Sequence, residues 1–212
     1  MVCGEVPSSE DIVKGLNDIA NEWPILAVVW HVYFATIVLA LMAGYRAARR
    51  LLAIQLAAPL LSVCALAWVH ANPFNGIVFA LASIALIAVG ARLGKGKVAL
   101  ASKPFVVTGA IMFAFGWTYP HFLNQGSMLS YLYAAPTGLI PCPTLSTIAG
   151  MTLILGGFST VLWPAIVGIL GLFYGYYGAA ILGVSIDWVL FAGAICLFMV
   201  CVVNHRKIRA AH

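Results

Sequence analysis

The chain has 212 residues, of which 63% are apolar and only 8% are charged, and its mean hydropathy is +1.03. Because a soluble domain carries about 25% charged residues, this composition excludes a soluble enzyme, a nucleic-acid-binding domain and a disordered protein. The net charge of +5 does not indicate a nucleic-acid partner, since every Lys and Arg lies outside the apolar stretches. The remaining fold class is an all-α, polytopic membrane helix bundle.

Residues 1–22 differ from the rest of the chain, because they contain five of its six acidic residues. Ser8 is followed three residues later by Asp11, which is close to a capping-box pattern. Apolar residues then recur at helical spacing: Ile12, Leu16, Ile19 and Trp23. This segment lacks the basic and apolar regions of a signal peptide. We predict that residues 1–22 form an amphipathic helix on the membrane surface.

Seven apolar stretches follow and form a predicted membrane domain at residues 23–205. The predicted spans are 24–45, 51–70, 75–93, 105–123, 143–157, 160–178 and 185–204. The fifth reaches only about 22 Å at helical rise, whereas the hydrocarbon core is about 30 Å thick. It is therefore either a short tilted helix inside the bundle or a half-helix that follows a re-entrant segment.

Basic residues occupy every second loop. Lys and Arg follow the first, third and seventh spans, whereas the loops after the second and fourth spans and before the seventh carry none. The positive-inside rule places basic loops in the cytoplasm. Seven spans then leave the N-terminus outside and residues 206–212 as a basic cytoplasmic tail. The expected location is a bacterial inner membrane.

Polar residues inside apolar spans are the candidate functional residues. With the topology above, the outer half of the bilayer contains a set of candidate substrate-binding residues: Tyr119, His121, Cys142, Thr144 and Asp187. Each also has a structural explanation, because histidines at span ends anchor helices at the interface and Asp187 is suited to cap the seventh span.

The loop between the fourth and fifth spans, residues 124–141, carries no charge. It is able to dip into the bundle or to cover it. Pro143 favours a helix start at that point, and the free N–H groups of the first turn would then face the outer half of the bundle. We expect Cys142 to face a cavity that it shares with His121 and Asp187.

A transition metal is a second possible ligand, although no cofactor is identified by the sequence. Its candidate ligands are His31, His70, His121, Cys142 and Asp187, which would have to converge from different spans. The pattern favours neither haem nor retinal, since the seventh span has no lysine for a Schiff base. The glycines of the sixth span, including Gly171 and Gly175, indicate either a helix-packing seam or a smooth pathway wall.

The chain resembles a family of bacterial multi-pass integral membrane proteins that is defined as a domain of unknown function. The resemblance rests on Asn21-Glu22-Trp23-Pro24, Asn72-Pro73, Tyr119-Pro120, Gly138-x2-Pro141-Cys142-Pro143-Thr144 and the Asp187 region. The Pro-Cys-Pro-Thr segment is its specific part. The resemblance implies the same membrane fold over nearly the whole chain and leaves the activity open.

Three functions are compatible with these features. The first is a transporter or channel for a small solute or ion, with a polar site in the outer half of the bilayer. The second is an accessory or anchoring subunit of a larger membrane complex, and the third is a membrane-embedded metal enzyme or redox module. An enzyme is the less favoured class. The expected partners are the lipid bilayer and either a larger complex or further copies of the chain.

Overall fold

The computed structural model describes residues 8–124 and 128–210, so parts of the predicted surface helix, of the loop at 124–141 and of the tail lie outside the described residues. In the described part, regular structure is helical apart from one isolated antiparallel bridge between Ala48 and Lys97. The helices are α1 Ser9–Glu22, α2 Pro24–Met42, α3 Arg49–Val69, α4 Pro73–Arg92, α5 Lys103–Thr118, α6 Tyr131–Ala134, α7 Pro141–Ile154, α8 Leu162–Tyr176 and α9 Trp188–Ala210.

Five helical segments are long and apolar enough to cross a membrane: Pro24–Met42, Arg49–Val69, Pro73–Arg92, Leu162–Ile181 and Ser185–Ala210. The chain is therefore a multi-pass, membrane-embedded protein. α5 and α7 are shorter, with 16 and 14 residues. α9 continues through residues 206–210 of the predicted tail, because no Gly or Pro interrupts it there.

α1 begins with a capping box, in which the Asp11 backbone N–H donates to Ser8 Oγ at 3.2 Å and the Ser8 backbone N–H donates to Asp11 Oδ2 at 3.1 Å. These bonds satisfy donors that the helix itself leaves free. The Ser8 hydroxyl also donates to Asp11 Oδ2, at 2.7 Å, and together with the Ser8 backbone N–H it lowers the pKa of the Asp11 carboxyl below its usual value of 3.8. The inner face of the helix buries Leu16 and Ile19.

α1 is fastened to the chain segment that follows α5. Asn21 donates from Nδ2 to the Phe122 carbonyl at 2.7 Å, and its Oδ1 accepts from the Asn124 backbone N–H at 3.0 Å. Asn17 donates to the Asn124 side chain at 2.8 Å. The helix therefore lies across the end of the bundle and holds residues 120–124 in place.

α7 is the central helix of the bundle. Every residue from Ala135 to Leu153 is buried, which includes the non-helical segment 135–140 that leads into the helix. The structure therefore has a short helix that is entered through a buried segment, and the choice between a tilted crossing and a half-helix stays a prediction. Gly138 makes the necessary turn with φ +81° directly beneath the Trp30 ring, where a Cβ would clash.

α5 and α7 pack antiparallel through glycines. A Cβ on Gly109 would meet the Gly150 carbonyl at 2.6 Å, and one on Gly116 would meet the Pro143 carbonyl at 2.7 Å. The missing side chains let the two backbones approach closely, as small residues do between membrane helices. α7 ends where the Ala101 backbone N–H donates to the Ile154 carbonyl at 2.9 Å. This pair of short helices thus runs between the same two ends of the bundle.

The glycines of α8 form a packing seam against α9. Gly168, Gly171 and Gly175 would direct a Cβ onto Phe198, Ala194 and the Phe191 backbone. Of the two predictions for this glycine pattern, the internal helix-packing seam is the one that the structure shows. These glycines therefore pack against another helix of the same chain.

Charge divides the bundle into two ends. Ten of the eleven Lys and Arg lie in the loops at 43–48 and 93–102 and at the helix ends that adjoin them or in the last turns of α9. We call this the basic end. Asn204 joins α9 to it, with Nδ2 donating to the Gly156 and Thr160 carbonyls at 3.0 and 2.9 Å. Lys14 and the described acidic residues lie towards the opposite end.

Candidate functional site

A buried carboxylate lies near the opposite end. Asp187 is 1% exposed and belongs to the turn Ser185–Asp187 that precedes α9. The hydroxyl of Tyr119, which is fully buried just after α5, donates to Asp187 Oδ1 at 2.7 Å. Burying a carboxylate costs free energy unless hydrogen bonds compensate the lost hydration. The Tyr119 hydroxyl supplies such a bond and so allows Asp187 to be buried. Two sequence-predicted site residues are thus in direct contact.

Gly178 creates the space for that carboxylate. It lies in the π-helical turn Tyr177–Ile181 at the end of α8, and a Cβ at this position would overlap Asp187 Oδ2. The row of glycines between α8 and α9 therefore extends to the site. There the Asp187 carboxylate occupies the space that a side chain on Gly178 would fill. π-helical turns are frequent at functional sites.

Cys142, on the first turn of α7, faces the same carboxyl group. Its Sγ also lies 3.8 Å from the Tyr174 carbonyl. The Tyr174 hydroxyl in turn donates to Asn75 Oδ1 at 2.8 Å. We call these five residues, Asp187, Tyr119, Cys142, Tyr174 and Asn75, the Asp187 cluster. It connects α4, α5, α7, α8 and α9 at one level of the bundle.

Thr144 lies outside the Asp187 cluster. Its Oγ1 accepts from the Gly138 backbone N–H at 2.8 Å and donates to the Ile140 carbonyl at 2.7 Å. Thr144 therefore fixes the buried segment that precedes α7, and its hydroxyl has no free hydrogen. Its contacts assign it a structural role, so its place as a substrate-binding residue remains a prediction.

The start of α7 has fewer free N–H donors than expected. The helix begins at Pro141, two residues before the predicted start. Since Pro141 and Pro143 both lack an N–H, only Cys142 and Thr144 supply donors among the first four helical positions. The same prolines that begin the helix thus remove half of these donors.

His121 lines an open groove of about 620 Å³ between α1 and residues 120–124. Neither Cys142 nor Asp187 lines this groove, which differs from the shared cavity that we expected. Phe122 lies between the two sites, since its ring stacks on Tyr119 with centroids 6.2 Å apart and contacts His121 edge-on at 4.4 Å. Partial burial lowers the pKa of the His121 imidazole below its usual value.

The residue between the groove and the Asp187 cluster has a strained backbone. Phe122 has φ +74°, a conformation that non-glycine residues rarely adopt. Its backbone carbonyl is held by Asn21 of α1. Strain of this kind persists where the surroundings impose it and is enriched at ligand clamps and switch regions. Phe122 thus lies between the groove and Tyr119, whose hydroxyl donates to Asp187.

The five candidate metal ligands do not converge. His31 places Nδ1 2.8 Å from the Ala27 carbonyl and Nε2 2.9 Å from the Trp117 carbonyl, so both ring nitrogens are occupied. His70 Nε2 lies 3.5 Å from a Glu22 carboxylate oxygen. Among residues 8–124 and 128–210, no three His, Cys, Asp or Glu side chains are grouped as metal ligands.

Sequence reasoning missed Asn75, Tyr174 and Thr152 as polar residues of the interior. Asn75 and Tyr174 belong to the Asp187 cluster, and Thr152 is a buried hydroxyl of α7 together with Ser146 and Thr147, which the sequence had indicated. Ser146 Oγ is buried without a hydrogen-bond partner and lies one turn after Cys142 on the same helix face. Each of these interior residues is polar and lies in an apolar stretch of the sequence. Taken singly, however, none of them differs from the ordinary polar residues of a membrane span.

Fold and site together define a multi-pass integral membrane protein with a buried carboxylate at the meeting point of five helices. Comparisons of the chain with protein-family models, with curated proteins and with solved structures find no match.

Proposed function

We propose that the protein is a transporter or channel for a small solute or ion and that the Asp187 cluster is its substrate site. The observation that supports this most directly is the carboxylate of Asp187, 1% exposed and separated from the open groove by Phe122. Ionisable groups inside membrane helices are costly and usually mark pathways or substrate sites. A bundle with a purely structural role would not need an ionisable side chain at the position of Asp187.

The proposed topology has seven crossings, with the N-terminus outside and the C-terminus in the cytoplasm of a bacterium. The concentration of Lys and Arg at the basic end supports this orientation. The course of α5 and α7 between the two ends supports counting both short helices as crossings. The Asp187 cluster then lies in the outer half of the bilayer.

The proposed route enters from the groove. Movement of Phe122 and Tyr119 would open the groove to Asp187, and both residues lie in the irregular segment after α5. From Asp187 the route follows the buried hydroxyls of α7, of which Ser146 lacks a partner. It ends near Asn204 at the basic end. Half-helices that follow a non-helical buried segment form substrate sites in transporters.

Flux through purified protein in liposomes tests this proposal. The liposomes contain a trapped pH-sensitive dye, and the probes are a proton gradient, a sodium or potassium gradient and osmotic swelling in urea or glycerol. Asp187→Asn removes the charge with little change in shape, and Asp18→Asn on the exposed face of α1 is the matched control. Flux that persists in the control and is lost in Asp187→Asn supports the proposal. Equal flux in both variants, or none above protein-free liposomes in wild type, contradicts it.

The accessory-subunit alternative predicts a different result in mild detergent, namely a large partner that co-purifies in stoichiometric amount. The glycine seam that favoured this alternative is used between α8 and α9. Metal analysis of the same preparation tests the third alternative, the metal enzyme or redox module. Membership of the family that the Pro-Cys-Pro-Thr segment resembles stays a prediction.

A further inference from the structure

The basic end contains a preformed cleft between two loops. The loop at 43–48 and the loop at 93–102 are joined by the antiparallel bridge between Ala48 and Lys97. Two backbone hydrogen bonds hold it, from Val98 N–H to the Ala47 carbonyl and from Arg49 N–H to the Gly96 carbonyl, both at 2.9 Å. Loops that are tied to each other in this way hold their side chains in a defined arrangement.

This cleft has a volume of about 550 Å³ and is open to solvent. Its lining residues are Gly44, Tyr45, Arg46, Ala48, Lys95 and Lys97. Half of them are cationic, and the two loops both contribute. Residues 23–186 contain no Asp or Glu, and in the described chain the one carboxylate ion-pair contact joins Glu22 and His70. The cations of the cleft are therefore not neutralised by the protein.

A fixed arginine makes the cleft more than a diffuse positive surface. Arg46 Nη1 donates to the Leu41 and Tyr45 carbonyls at 2.7 and 3.1 Å, which fixes its guanidinium and leaves the donors of Nε and Nη2 for a ligand. Arg49 does not line the cleft, since its side chain packs against Gly94 and Gly96. A fixed guanidinium beside unpaired cations is a feature of phosphate sites.

We propose that this cleft binds a phosphate group, supplied either by an anionic phospholipid or by a soluble phosphate compound. Orientation in the membrane requires only that basic residues lie on one side. It does not require that cations from separate loops converge on one cleft. The proposal is independent of the Asp187 cluster and of transport.

Binding of two probes to the full-length protein tests the proposal and separates the two sources. Inorganic phosphate is titrated into protein in neutral detergent, and phosphatidylglycerol is offered in nanodiscs that otherwise contain phosphatidylcholine, with retained lipid counted by native mass spectrometry. The test variant is Lys95→Gln with Lys97→Gln. The matched control is Arg206→Gln with Lys207→Gln, which removes the same charge from exposed positions in the last turns of α9.

The proposal predicts that the Lys95 and Lys97 variant loses about thirtyfold in affinity for whichever probe binds, while the control changes about twofold or less. Both variants should unfold at the wild-type temperature. If phosphatidylglycerol binds and inorganic phosphate does not, the ligand is a lipid headgroup. If inorganic phosphate binds and displaces phosphatidylglycerol, the ligand is a soluble phosphate compound. Equal losses in both variants, or no binding of either probe to wild type, overturn the proposal.

Discussion

Gly178 and Asp187 form a contact in which a glycine is matched to an acidic side chain. Replacing Gly178 with alanine would place a Cβ against Asp187 Oδ2. We expect the carboxylate to move away from Tyr119 and the free energy of unfolding in detergent to fall by about 1–3 kcal/mol. Gly15→Ala is the control, because no atom lies within 4 Å of its Cβ position. It should stabilise α1 by about 0.5–1 kcal/mol, and equal destabilisation by both variants would contradict this account.

The Tyr119 hydroxyl provides the hydrogen bond that compensates the buried carboxylate. Tyr119→Phe keeps the ring that stacks on Phe122 and removes only the donor. We expect it to lower the free energy of unfolding by about 1–3 kcal/mol, because Asp187 Oδ1 then loses its hydroxyl donor. Tyr133→Phe is the control, since Tyr133 is 55% exposed, and it should change stability by less than about 0.5 kcal/mol. Loss of stability in the control to the same extent would refute a specific role for the hydroxyl.

At the scale of single residues, sequence reasoning named Tyr119, Cys142 and Asp187 because polar groups stand out in apolar spans. It did not separate them from Thr144, which the structure uses to hold the Gly138 backbone. Nor did it find Tyr174, because a tyrosine in an aromatic-rich span carries no distinguishing signal. These assignments depend on which helices meet, and spacing along one helix contains no such information.

Among the helices, α1 has a pH dependence that follows from its capping box. The pKa of Asp11 is below 3.8 in the folded helix, so the box stabilises α1 above the unfolded pKa and this contribution is lost as pH falls through the lower, folded value. We expect the protection factors of the amides across residues 9–14, corrected for the intrinsic pH dependence of exchange, to fall below about pH 3.8. Ser8→Ala should weaken that pH dependence, because it removes the hydroxyl donor and keeps the backbone N–H. Protection factors that are unchanged between pH 6 and pH 3 would argue against it.

Among the helices as well, α7 shows what sequence patterns resolve and what they do not. Its short length and the two prolines predicted an unusual element, and the structure has a 14-residue helix entered through a buried segment. The pattern did not reveal that Gly116 and Gly150 bring the α5 and α7 backbones into contact. Close packing of this kind depends on the partner helix, and therefore it became evident only from the assembled bundle.

For the whole molecule, hydropathy and charge predicted the membrane class and the approximate positions of the long apolar helices, because the bilayer imposes length and composition on every span. They did not predict that the loops at 43–48 and 93–102 pair through Ala48 and Lys97. Nor did they predict that Phe122 divides His121 from the Asp187 cluster. Both arrangements involve residues far apart in sequence, and neither is encoded in the periodicity of one segment.

The proposed orientation of the bundle predicts a pattern of accessibility along the chain. Leu100 and Ser159 are exposed near the basic end, whereas Met128 is 77% exposed between the opposite ends of α5 and α7. In a Cys3→Ser background, we expect a membrane-impermeant thiol reagent to label Met128→Cys in intact cells. Leu100→Cys and Ser159→Cys should react only after the membrane is permeabilised.

These three positions test the two short helices, because α5 lies between residues 100 and 128 and α7 lies between residues 128 and 159. Native Cys64, Cys196 and Cys201 are partly buried in membrane helices, and the Cys3→Ser parent without an introduced cysteine measures their background labelling. Labelling of Leu100→Cys in intact cells would reverse the proposed orientation. If Met128→Cys and Ser159→Cys react from the same side, α7 does not cross the membrane, and the bundle has six crossings instead of seven.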